Sequence, residues 1–291
     1  MRSRRTRENL LGAAFVGPAF CYIMLIVIYP LCYSLWASFT NLRLTSPITS
    51  FVGLDTYAQA LGSEIFRDSL LVTALFLFAS VILEFVLGFA LAYSFSRMKR
   101  THPVMRALLL LPVMATPVSV GLIWKLMLNS DFGILAGWGQ IFGGDNILWL
   151  SDPALAVLSI VIMDVWQWTP FMFLILLAGL EGLPKEPFEA AEVDGANRWQ
   201  VLIRVTLPLM RRIIAIAVVF RLMFAIATFD TVYVLTKGGP ARATDLITLF
   251  IQREGFVNLN IASASAISFL VLIAVLAVTT LLFKRDLADA K

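Results

Sequence analysis

Residues Glu181–Arg212 read EGLPKEPFEAAEVDGANRWQVLIRVTLPLMRR, and the order of side chains here has a definite grammar. Pro184 and Pro187 open the stretch. Proline suits the first turn of a helix, where a backbone N–H would lack a partner anyway. Phe188–Val193 is a strong helix former with acids in its first turn, which complement the positive end of the helix dipole. Gly195 stops it, because glycine takes left-handed conformations cheaply. A second helical piece, Arg198–Val205, runs to Leu207-Pro208. The spacing predicts a short helix, bent at a glycine and tied closely to what lies on either side. Phe188, Ala190, Ala191 and Val193 are its apolar knobs, while Glu189, Glu192 and Asp194 offer acids.

What lies on either side is apolar. A membrane-spanning helix needs about 20 mostly apolar residues. Six stretches qualify, at about 10–36, 69–95, 104–128, 154–180, 213–235 and 261–283. Prolines 112, 117 and 170 fall inside them, and spanning helices tolerate such residues where neighbours satisfy the freed backbone groups. Composition agrees: of 291 residues, 59% are hydrophobic and only 14% charged, against about 25% charged in a soluble domain. Soluble enzymes, nucleic-acid readers and disordered chains are excluded on that ground. Cys21 and Cys32 both fall in the first run and read as packing residues, and His102, the one histidine, reads as part of a solvated inner turn. That inventory supports neither a disulfide framework nor a Cys/His metal site. The first run is too long for a signal-peptide core of about 7–15 residues and reads as a retained anchor.

Basic residues orient the spans, because cytoplasmic loops collect lysine and arginine. With the N-terminus inside, sixteen of the 23 basic residues fall on the inner side, among them Arg2, Arg4, Arg5 and Arg7. Five fall outside: Arg43, Arg67, Lys237, Arg242 and Arg253. The expected organisation is one multi-pass transmembrane domain over residues 1–291, with both termini cytoplasmic. The interruptions leave no room for a separate soluble domain. Asp152-Pro153 predicts a helix entry, and Lys237-Gly238-Gly239-Pro240 a turn.

Two readings of the 184–208 loop compete. It is an amphipathic helix resting on headgroups, or it is a docking element for a protein. Acids facing an anionic leaflet and small alanines serving as anchors suit a protein better.

Glu189-Ala190-Ala191, three residues, Gly195, nine residues, then Val205-Thr206-Leu207-Pro208 resembles the EAA loop of bacterial ABC importer permeases. Val205 replaces the isoleucine of that pattern. Phe229-Asp230-Thr231-Val232-Tyr233-Val234-Leu235-Thr236-Lys237-Gly238-Gly239-Pro240 resembles the end of span five in the carbohydrate branch, as do Glu84-Phe85-Val86-Leu87-Gly88 and Leu110-Leu111-Pro112. The Gly-Gly-Pro version is similar to the first of the two permease types in such importers. The resemblance covers residues 10–285. It implies an all-α membrane protein with the type I (MetI-like) permease fold, six transmembrane helices and a cytoplasmic coupling helix. It also implies a bacterial inner-membrane location and a heterodimer with a second, homologous permease about a pseudo-two-fold axis. An extracytoplasmic sugar-binding protein would deliver the solute, and an ATPase dimer would dock at the EAA loop. By resemblance, Glu189 meets a basic group of that ATPase, Ala190 and Ala191 fit its cleft beside Asp194, and Gly195 permits the bend. A phosphate-cradling G-x-x-x-x-G-K-[ST] pattern is absent from the chain. No cofactor and no catalytic residue are therefore expected here, and ATP with Mg belongs to the ATPase.

Polar groups in mid-membrane are costly and face the bundle interior. Asp164, Gln167, Trp168 and Phe171 share one helical face, spaced i, i+3, i+4 and i+7. Hydrogen-bonding groups beside aromatic planes suit a sugar, whose hydroxyls need partners and whose C–H faces stack. The resemblance puts sugar contacts of the maltose branch at these positions, and others at or near Arg221 and Ala225. Packing is the competing role for Trp168 and Phe171. Three roles compete for Arg221: an ion pair with Asp164 or Glu84, a hydrogen bond to a neutral sugar, or a grip on an oxyanion, which its planar fork would match. The alternative function is a stand-alone secondary transporter or channel for small polar solutes. Inverted repeats and broken half-helices would support it, and the sequence displays neither.

Overall fold

The computed structural model describes residues 16–46, 48–98, 103–141 and 145–288. Expectations for residues 10–15, the N-terminal arginines, Lys99, Arg100, His102 and Lys291 lie outside these residues, as do the side chains of Arg106, Lys284 and Arg285. The described residues are helical apart from turns, loops and one isolated bridge, Thr40 with Phe51.

The helices are α1 (Val16–Ser38, with a π turn at Met24–Ile28), α2 (Asp55–Gly62), α3 (Glu64–Ser96), α4 (Pro103–Met114), α5 (Pro117–Met127) and α6 (Trp138–Ile141). They continue as α7 (Pro153–Glu181), α8 (Glu186–Val193), α9 (Arg198–Val201), α10 (Leu207–Ile226), α11 (Asp230–Leu235), α12 (Ile247–Gln252) and α13 (Ile261–Ala288). Four of them are long and apolar enough to cross a membrane: α1, α3, α7 and the Ile261–Leu281 part of α13. The α4–α5 pair makes a fifth if counted as one span.

Two predicted spans are broken. The apolar run 104–128 bends by 98° between α4 and α5. The cause is local: Thr116 precedes Pro117, and a residue before proline is pushed out of the helical region. Thr116 accordingly takes ψ 141°. The run 213–235 starts its helix earlier, at Leu207, stops at Ile226 and restarts at Asp230, with Phe229 at φ −134°, ψ −58° between. The expectation of no broken half-helices is thereby corrected. Other local readings hold. Asp152 caps α7 by accepting from the N–H groups of Ala154 and Leu155, each at 2.9 Å.

The chain forms two compact units, Met1–Ser63 with Ile251–Ile273, and Glu64–Phe250 with Ala274–Lys291. In the first, α1 buries none of its most apolar window, and Cys21 and Cys32 are exposed on it rather than packed as expected. A helix apolar on every side has no face that must be hidden once lipid is the solvent. The end of α1 is held to α2: Ser38 Oγ lies 2.7 Å from the Tyr57 hydroxyl, and Thr56 donates to the Thr40 carbonyl at 3.0 Å. The Leu44 N–H bonds the Leu259 carbonyl, and the Ala262 N–H bonds that of Leu42.

The second unit has two apolar clusters. One gathers Phe76, Val120, Trp124, Ile160, Met163, Val232 and Leu235. The other gathers Ala92, Phe95, Met172, Phe173, Leu176, Met210 and Ala217. On α3 Glu84 lies between them and on α7 Gln167 does, with Asp164 at the edge of the first cluster beside Met163 and Val165. In lipid, helices associate through close packing at small residues rather than through the hydrophobic effect. Gly88 on α3 is such a point, where an added Cβ would lie 3.0 Å from Met172 Cβ. Gly121 joins α5 to α11, with room for no methyl group: its Cβ would lie 2.8 Å from the Thr231 carbonyl oxygen. The two half-helices beyond the breaks are thus packed on each other.

The Lys237–Pro240 turn is compact. Gly238 has φ +89°, and the Thr244 hydroxyl contacts Thr236 Oγ1 and the Gly239 carbonyl, both at 2.7 Å. Arg242 donates to Asp245 at 2.8 and 3.1 Å.

Candidate functional site

Three helices of the second unit bring their charges together beside the first cluster. Arg221 of α10 grips Glu84 of α3 with two donors, Nε to Oε2 at 2.5 Å and Nη2 to Oε1 at 2.8 Å. Nη2 also donates to Asp164 of α7. Arg221 and Glu84 are 0% exposed and Asp164 is 2% exposed. An isolated charge at this depth is costly, and mutual compensation is what permits all three. The ion-pair role left open for Arg221 is therefore realised, with both candidate partners at once. Arg221 Nη1 is buried with no partner among the described residues.

The guanidinium lies over the Trp168 ring, 5.1 Å from its centroid, within range of a cation–π attraction. Trp168 stacks on Phe224 at 5.7 Å and 11°, and Phe171 stands edge-on to both. Phe224 is 46% exposed, and Trp168 and Phe171 are partly exposed. An aromatic trio thus forms the accessible side of the layer and the charges its buried side. Phe224 was missed in the sequence. It lies i+3 from Arg221 and so on the same face of α10, but only the packing of α10 on α7 distinguishes it from the other phenylalanines.

Of the residues singled out for solute contact, Trp168 and Phe171 are in this trio. Asp164, Gln167, Arg221 and Ala225 are buried. Gln167 turns toward the break in 104–128, its Nε2 lying 3.5 Å from the Ala115 carbonyl oxygen. That carbonyl belongs to a helix end, where backbone acceptors lose their intrahelical donors.

The 184–208 loop is built as its grammar predicts. Pro187 sits in the first turn of α8, with Glu186 and Glu189 at its N-terminal end. Gly195 adopts φ +72°. Its N–H bonds the Glu192 carbonyl and the Ala196 N–H bonds that of Ala191, at 3.1 and 2.9 Å. This is the Schellman pattern, which satisfies carbonyls a helix end leaves open. Asn197 and Gln200 then form a reciprocal capping box, each side chain bonded to the other's backbone N–H. From Arg198 the chain runs into α10 through a π turn at Leu202–Thr206, just before Pro208, which has no N–H to give. Glu189, Ala190, Asp194 and Gly195 are exposed and Ala191 is partly so. Val193 and Trp199 are 88% and 72% exposed.

Apolar spanning helices, broken half-helices packed in a pair, and a compensated polar layer define a membrane transport component. The description "Binding-protein-dependent transport system inner membrane component" matches residues 84–288, and the chain belongs to that family. It is 36% identical over 279 residues to a trehalose/maltose transport system permease protein of Thermococcus litoralis, covering 96% of this chain and 94% of that one. It is 31% identical over 264 residues to a sulfoquinovosyl glycerol transport system permease protein of Agrobacterium fabrum, covering 89% and 85%. In fold it is similar to a chain of a bacterial ABC transporter involved in the import of the acidic polysaccharide alginate. That match has a TM-score of 0.85 at 20% identity, over 100% of both chains.

Proposed function

We propose that this chain is a permease subunit of an ATP-driven importer that moves a sugar or sugar derivative from a binding protein into the cytoplasm. The observation that carries the reading is the exposed, rigidly capped α8 turn. It offers Glu189, Ala190, Ala191 and Asp194 on one side of a glycine at φ +72°, in a chain of a binding-protein-dependent transport family. An ATPase dimer, holding ATP and Mg, docks there, and a second permease completes the pathway. The permease lends a moving path and no catalyst. The sugar-transport relatives support the solute class. The test uses the purified complex with Glu189→Ala and Gly195→Ala combined. Partial assembly is expected, with loss of ATP hydrolysis stimulated by the loaded binding protein. Unchanged stimulation and unchanged uptake would sink the coupling role.

The full architecture in this reading is a single domain with six spans and both termini cytoplasmic. To the four long helices and the α4–α5 pair it adds α10, 20 residues long. Arg211 and Arg212 lie near its start, where long basic side chains reach the interface, and Arg221 is compensated. Labelling from outside intact cells at a cysteine placed at Gln200 would overturn the orientation. The solute meets Trp168 and Phe171, joined by Phe224, with Asp164, Gln167, Arg221 and Ala225 shaping that face from behind.

One feature favours the stand-alone transporter, the broken α4–α5 pair, since such breaks line the sites of secondary transporters. Uptake by this chain without an ATPase would establish that reading instead.

A further inference from the structure

We infer that the solute this permease passes is an uncharged sugar, and that the Glu84–Arg221–Asp164 cluster sets the selection against anionic ones. The inference rests on the carbohydrate-importer reading above and narrows its solute class. The relatives leave the class open, since they are named for trehalose and maltose as well as for a sulfoquinovosyl glycerol.

Two properties of the cluster decide it. The first is charge. One guanidinium faces two carboxylates, all three at most 2% exposed. With both acids ionised the cluster sums to −1, and with one of them protonated it sums to zero, so in either state the bound carboxylate leaves no positive surplus. Buried charges are screened far less than exposed ones, so a sulfonate, phosphate or uronate arriving at Trp168 feels that sum.

The second is geometry. A guanidinium recognises an oxyanion by offering two parallel N–H donors from one edge. Here the Nε/Nη2 edge is spent on Glu84, with donors at 2.5 and 2.8 Å. The other Nη2 hydrogen goes to Asp164, which breaks up the Nη1/Nη2 edge as well. Only Nη1 is unpartnered. Its two N–H groups diverge from one nitrogen, so they suit separate hydroxyl or ring-ether oxygens and cannot form the parallel fork an oxyanion takes. The accessible groups, Trp168, Phe171 and Phe224, are uncharged planes suited to the C–H faces of a pyranose. Arg221 is thus a specificity-determining residue whose charge is cancelled by design of its neighbours.

The whole importer, with its own binding protein, is reconstituted in proteoliposomes. Uptake is measured for neutral disaccharides and glycosides beside their uronate, sulfonate and phosphate counterparts. Import of neutral members at least about tenfold faster is expected, because an anion gives up its water there and finds neither a free fork nor a positive surplus in return. Faster or equal import of an anionic member overturns the inference and leaves the importer reading standing. Import of no carbohydrate, with ATP hydrolysis driven by other solutes, overturns both. Asp164→Asn isolates the permease's share, because the binding protein is unchanged. It should shift the anionic-to-neutral ratio toward the anion by about tenfold. Glu84→Gln is the second variant, with the same expected shift. Unchanged ratios in variants that still transport overturn the role of the cluster. If neither variant assembles, the wild-type panel decides through members that the binding protein binds equally well: equal import of such an anionic and a neutral member overturns the role of the cluster.

Discussion

The mid-membrane layer and the 184–208 loop use the same residue types in opposite ways. In the layer, Glu84, Asp164 and Arg221 are packed until none meets solvent, and each charge is answered by another. In the loop, Glu189, Glu192 and Asp194 face outward, and Val193 shows 88% of its surface. The layer answers its own charges and leaves Arg221 Nη1 as the open donor of the cluster. The loop is complete only in its backbone, where the Schellman pattern and the capping box satisfy the main chain and leave the side chains on offer. Internal satisfaction marks a residue that positions, and internal incompleteness marks one that meets a partner.

Substitutions can break this contrast. The largest effect belongs to Arg221→Met, which leaves two buried carboxylates without a cation. Removing one member of a buried ion pair costs about 3–5 kcal/mol, so the purified complex should lose most of its folded yield. Adding Glu84→Gln and Asp164→Asn to it should restore much of that yield, because the uncompensated charges are gone. A triple variant no better than the single one would show that shape rather than charge holds the layer. A middle effect is expected at Gly121→Ala. The new Cβ would meet the Thr231 carbonyl at 2.8 Å and Val234 at 3.0 Å, and overpacking of this kind costs about 1–3 kcal/mol. Thermal unfolding of the purified complex should show the drop, and an unchanged midpoint would mean the α5–α11 contact yields. The smallest effect on stability is expected at Val193→Ser, within about 0.5 kcal/mol as for other exposed positions. Its uptake rate should nonetheless fall, which sharpens the contrast. Wild-type uptake in that variant would remove Val193 from the docking face.

The sequence was most readable where neighbours along the chain decide the outcome. Asp152 as a cap, Gly195 as a stop and the helix leading to Pro208 need only local chemistry. The break at Thr116-Pro117 was also written locally, yet a reading by apolar content runs across it. The second break carries no proline. The Thr228 carbonyl there accepts from the Thr248 hydroxyl at 2.7 Å, twenty residues on, and no periodicity reports such a bond. Arg221 could be assigned possible partners because mid-membrane charges seek opposites. That it takes both, and that Phe224 closes the aromatic trio, depends on the rotational phase of α10 against α3 and α7. Gln167 was grouped with Asp164 by spacing, but its amide turns to Ala115, because a broken helix exposes a carbonyl that a continuous span would not.

The contact at Gly121 has a kinematic consequence. α5 follows one break in the chain and α11 follows another, at positions more than a hundred residues apart in sequence. Two such segments, each on its own joint, would swing separately. With no space for a methyl group between them, neither can tilt toward the other without displacing its backbone, which ties the two joints together.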